Sequence, residues 1–94
     1  MIQKVIKYFT DCMERYKIRR QIRESIWNIY DRNYGSMEEA NSMIQKLIGL
    51  IKKAEDFNER ATVKPIDLKR FNGSIGILEQ RIEEDYFLGN LPIR

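Results

Sequence analysis

The side chains able to do chemistry fall into two clusters of opposite charge. Glu79, Glu83, Glu84 and Asp85 gather toward the end of the chain, and Glu79 and Glu83 stand four apart, on one face of a helix. Paired carboxylates can hold Mg²⁺ or Ca²⁺, or divide acid and base work. With no further ligands beside them, the plainer reading is a solvated face that pairs with cations elsewhere. The second cluster is Arg15, Lys17, Arg19, Arg20 and Arg23, five cations within nine residues, flanked by Tyr16, Trp27, Tyr30 and Tyr34. Arg23 and Trp27 are spaced at i,i+4, so cation–π contact is within reach. Arginines among aromatic rings can pair with phosphates and stack on bases. The same residue types are the anchors that protein interfaces enrich. A third reading makes Trp27 and Tyr30 core residues and the arginines a wet face.

Much chemistry is excluded by composition. The chain has no histidine and a single cysteine, Cys12. Neither a Ser-His-Asp triad nor a Cys-His pair can be assembled, nor a histidine-containing metal site. One cysteine makes no zinc knuckle, redox pair or internal disulfide, and Cys12 reads as a small, half-buried apolar residue on a helix. Gly73-Ser74-Ile75-Gly76 matches the Gly-x-x-Gly of KH domains in letters only, because no strand pattern surrounds it. No catalytic residue, metal ligand or cofactor is expected, and the chain is not expected to be an enzyme.

The elements that position these residues follow from periodicity. Ile2, Ile6, Phe9, Met13, Tyr16, Arg20, Arg23, Trp27, Tyr30 and Tyr34 recur in alternating steps of four and three. That is the seam of a helix packed against other helices. Ile18, Ile22, Ile26 and Ile29 form a second line, about 120° around the helix at 100° per residue. No Gly or Pro interrupts the chain before Gly35, so one helix is expected over about 2–32. A break near 17–20, giving a four-helix arrangement, is the alternative.

Gly35 suits a left-handed cap, and Ser36-Met37-Glu38-Glu39 fits a capping box opening a second helix at about 37–60. Its apolar side is wide, from Met37 and Ala40 to Ala54 and Phe57, and Asp56 and Arg60 can pair on the other side. Pro65 suits the first turn of a third helix over about 65–88. Leu68, Phe71, Ile75, Leu78, Ile82 and Tyr86 keep phase through Asn72-Gly73-Ser74, so that helix is read as continuous. Leu88-Gly89 ends it. The fold class is all-α: an antiparallel three-helix bundle with a long first helix, residues 1–94 forming one domain.

The net charge of +3 is uneven. Residues 1–34 hold eight Lys/Arg against four Asp/Glu, whereas residues 35–62 hold four against five and residues 63–94 five against five. A positive first segment permits anionic partners without demanding them. Lys4, Lys7 and Asp11 break up any signal-peptide core, and no run nears the roughly 20 apolar residues of a membrane span. An amphipathic membrane helix over Ile2 to Tyr16 is weakened by Asp11 and Glu14.

The expectation is a small, non-enzymatic interaction module of inhibitor, immunity or adaptor type, from the cytoplasm of a bacterium or, for a phage, of its host. It binds a protein partner through Tyr16, Arg19, Arg20, Arg23, Trp27, Tyr30 and Tyr34. It self-associates, as a dimer in the first instance, through Ile18, Ile22, Ile26 and Ile29. The alternative is a nucleic-acid-binding helical protein that uses the basic 15–23 face.

Overall fold

A computed structural model describes residues 2–89. Three helices follow in order: α1 over Ile2–Tyr30, α2 over Met37–Arg60 and α3 over Leu68–Phe87. Every pair is in contact, α1 with α2 most extensively, and no strand occurs among the described residues. The bundle runs up, down, up. α1 passes unbroken through 17–20 and α3 through 72–76, so the expected continuity of both holds.

The core is built on one line of α1. Ile18, Ile22 and Ile29 are fully covered by α2 and α3, joined by Ile44, Leu47, Ile51 and Phe57 of α2 and by Phe71, Leu78 and Ile82 of α3. Ile66, between the last two helices, is buried with them. Burying each such side chain contributes on the order of 1.5–3 kcal/mol.

The caps differ in detail from the sequence expectation. α1 stops at Tyr30 rather than Arg32, and the left-handed residue is Arg32 (φ 57°), not Gly35. The Arg32 N–H donates to the Ile29 carbonyl (3.0 Å) and the Asn33 N–H to the Asn28 carbonyl (3.0 Å), which together make a Schellman motif. A left-handed arginine costs about 1–2 kcal/mol. Its side chain offsets this, for Arg32 Nε donates to Asp85 Oδ2 at 2.7 Å. Ser36 caps α2 as expected, its Oγ accepting from the Glu39 N–H at 3.2 Å. The Glu39 carboxylate, however, takes the N–H of Gly35 (3.2 Å), one residue early for a capping box.

α3 begins at Leu68, so Pro65 lies in the connection and not in a helical turn. Side chains of α1 and α2 hold that connection. Asn58 accepts from the Ile66 N–H (2.7 Å) and donates to the Ile66 carbonyl (3.0 Å), while Asp11 accepts from the Thr62 N–H and hydroxyl, both at 3.1 Å. The expected pairing of Asp56 with Arg60 is displaced by a tertiary one, since the Arg60 guanidinium forks onto Glu14 of α1.

Both ends of the bundle therefore carry a buried aspartate. At one end Asp11 also meets Lys7 (3.0 Å). The Thr62 backbone N–H and then Lys7 hold its carboxyl below the ordinary value. At the other end Asp85, 2% exposed, binds Arg32 and accepts from the Tyr34 hydroxyl at 2.8 Å. Burial works to raise the Asp85 carboxyl, but the Arg32 and Tyr34 hydrogen bonds outweigh it and leave it below the ordinary value. Burial, then the bond to Asp85, pushes the Tyr34 hydroxyl up to about 12.

α1 outruns its neighbours. It lies antiparallel to α2, whose end meets α1 at Asp11 and Glu14. Residues 2–10 project past that point and every one of them is exposed. α1 alone is about 43 Å long, 29 residues at 1.5 Å each.

Candidate functional site

The structure divides the predicted cluster between three environments. Tyr34 is 6% exposed and bound to Asp85, so it belongs to the core and not to a partner-binding face. Tyr16, Arg20, Trp27 and Tyr30 are exposed on the outer side of α1, and Arg20 Nε is engaged by Glu24 at 3.0 Å. Trp27, 62% exposed, is nearly parallel to Tyr30 (21°, centroids 5.9 Å apart), and Arg81 of α3 covers the Tyr30 ring at 4.4 Å. Half-buried Arg19 and exposed Arg23 line a groove.

The residues expected to mediate self-association are corrected by burial. Ile18, Ile22 and Ile29 are consumed within the chain's own core and Ile26 is partly covered, so this line has little left to offer a second copy. The unpartnered line is the other one. Ile2, Val5, Ile6, Phe9, Met13 and Tyr16 are each more than half exposed and form a continuous apolar stripe, which Arg20 and Arg23 separate from Trp27. α2 and α3 occupy the opposite side of α1, and they stop short of its first turns.

The groove lies between α1 on one side and the α2–α3 connection with the start of α3 on the other. Its volume is about 970 Å³. Arg15, Arg19 and Arg23 project into it one helical turn apart, facing Lys64 and Arg70, with Ile26, Trp27 and Phe71 as apolar lining. Glu24 and Asp67 are its acidic lining residues, and Glu24 is already taken by Arg20. None of the five cations makes an ion pair among the described residues. Burial, and then the charges of Arg23, Arg15 and Arg70, hold the Arg19 guanidinium below its ordinary value. Arg15 Nε donates to the Lys64 carbonyl at 2.8 Å, which ties the two walls together.

Lys64 and Arg70 were not distinguishable in the sequence from any other surface cations. Only the return of α3 alongside α1 brings them opposite Arg15 and Arg19. The acidic cluster, by contrast, does not assemble. Asp85 turns inward while Glu79, Glu83 and Glu84 stay exposed, and no three metal-ligating groups meet among the described residues. Within the same residues no helix is long and apolar enough to cross a membrane. Comparison with protein-family models, with curated proteins and with solved structures finds no match to this chain.

Proposed function

We propose that this chain is a non-enzymatic interaction module whose working unit is a pair of copies joined through α1. The observation that carries the reading is the stripe from Ile2 to Tyr16, apolar at helical spacing and exposed throughout. A monomer seldom leaves so long a run of apolar side chains uncovered.

A second copy fits the stripe better than an unrelated surface does. Its alternating steps of four and three are the repeat that lets one helix seat knobs in the holes of another. The arginines choose the direction. Parallel pairing in register would set Arg20 against Arg20 and Arg23 against Arg23, like charges facing across a seam. Antiparallel pairing over the apolar half avoids this, placing Phe9 opposite Met13 and Ile6 opposite Tyr16 of the second copy. The two bundles then lie on the outer flanks of the pair, away from each other.

Light scattering tests the proposal. The expected mass is twice 11.3 kDa at micromolar concentration, and Phe9→Asp is expected to halve it without lowering the helical content of the bundle. A wild-type mass of one copy at several hundred micromolar overturns the pair. Sedimentation of that single copy with anionic lipid vesicles would reassign the stripe to a membrane surface.

A further inference from the structure

We propose that the groove between α1 and the start of α3 binds single-stranded nucleic acid, with phosphates on Arg15, Arg19, Arg23 and Arg70 and a base against Trp27. The groove is separate from the apolar stripe, and the proposal does not depend on self-association.

Charge is the first argument. Five cations and two carboxylates line the groove, so its net charge equals the +3 of the whole chain. Cations crowded without ion-pair partners repel one another, and the fold tolerates this at the expense of Arg19, which is both half-buried and surrounded by Arg15, Arg23 and Arg70. A bound polyanion relieves that repulsion and releases counter-ions from its own backbone.

Spacing is the second. Arg15, Arg19 and Arg23 recur every four residues, about 6 Å along the helix, which is of the same order as the phosphate repeat of an extended single strand. A row of guanidiniums at that interval follows a backbone, where a compact anion would need only one or two. Arg70 and Lys64 supply the facing wall.

The third is Trp27. Its ring lines the groove yet remains largely in solvent. Tyr30 props it from behind, and Arg81 in turn covers Tyr30. Aromatic platforms beside a basic track are how single strands are held without base-specific readout. An acidic peptide would use the arginines, but its carboxylates bring no planar group to the indole, whereas every nucleotide does. The two walls are held in place by Arg15 and by the Asp11–Thr62 and Asn58–Ile66 contacts, so a strand meets a pre-formed track.

Trp27 is the only tryptophan, so its fluorescence reads occupancy directly. Full-length protein is titrated with an oligothymidine of about twelve nucleotides, within the usual range of site sizes. A duplex of equal length and a poly-glutamate peptide serve as controls. The expected result is quenching of Trp27 and saturable binding that weakens roughly 20–50-fold between 50 and 200 mM salt, as three to four phosphate contacts require. Arg23→Gln and Arg70→Gln, on opposite walls, are each expected to weaken binding several-fold and to flatten the salt slope by about 0.7. Both residues are exposed, and an unchanged thermal melt shows that the variants fold. Absence of quenching and of any complex at 50 mM salt overturns the proposal. So does equal affinity for poly-glutamate, which assigns the groove to acidic peptides, or for duplex, which assigns it to general polyanion attraction. Full binding by both variants overturns it as well.

Discussion

Two lines of side chains run along α1, and they meet different fates. Ile18, Ile22 and Ile29 disappear beneath α2 and α3, while Ile2, Ile6, Phe9, Met13 and Tyr16 remain in water. Both lines are apolar and both keep helical spacing. What separates them is the reach of the neighbours. α2 and α3, at 24 and 20 residues, are shorter than the 29 of α1, and their sides close on one flank of it. Periodicity reveals that a face is made for contact, whereas chain length and topology decide whether the contact lies inside the same molecule.

The largest expected effect divides the two lines. Ile22→Ala leaves a void under full cover and is expected to cost about 2–5 kcal/mol in chemical denaturation. Trp27→Ala removes a larger side chain from an exposed site and is expected to change stability by about 0.5 kcal/mol or less. Equal losses at the two positions would erase the distinction between a used and an unused face.

The next effect sharpens it at a polar position. Asp85→Asn removes the charge that holds Arg32 and Tyr34 and is expected to cost about 1–3 kcal/mol at neutral pH. Because the Asp85 and Asp11 carboxyls lie below their ordinary values when folded, the stability they add is complete above about pH 4, the unfolded range. It drains as the pH falls from there through the folded values. Acid titration of Asp85→Asn is therefore expected to show a shallower loss than wild type, and an identical curve would deny Asp85 that role. The smallest effect concerns α3. Nothing lies within 4 Å of a side chain added at Gly73, so Gly73→Ala is expected to stabilise the fold by about 0.5–1 kcal/mol. Destabilisation in a thermal melt would mean that another surface presses on that helix.

Helix number, course and continuity were legible in the sequence because each rests on local rules. The unbroken α1, the Ser36 cap, the phase of α3 through Gly73 and the end at Gly89 all follow from neighbours a few residues apart. Features whose deciding partner is remote in sequence are not legible in this way. Arg32 takes the left-handed position that Gly35 would fill at no cost, because Asp85, 53 residues on, holds its side chain. Arg60 leaves Asp56 for Glu14 across the bundle. Tyr34 sits on the α1 repeat and looks like an interface ring, yet the same Asp85 draws it inside. The isoleucine line shows in the sequence as a contact face, but only the return of α2 and α3 makes that contact internal. The arginine cluster was visible, while Lys64 and Arg70, which complete its groove, were not.

The overhang at the start of α1 has a thermodynamic corollary. Residues 2–10 form little more than two turns and rest on no other helix, so only propagation from the packed part of α1 holds them. In a solitary copy their amide hydrogens are expected to exchange with solvent faster than those of the packed turns. Contact along the stripe would make winding and docking a single equilibrium, with exchange protection there rising as protein concentration rises.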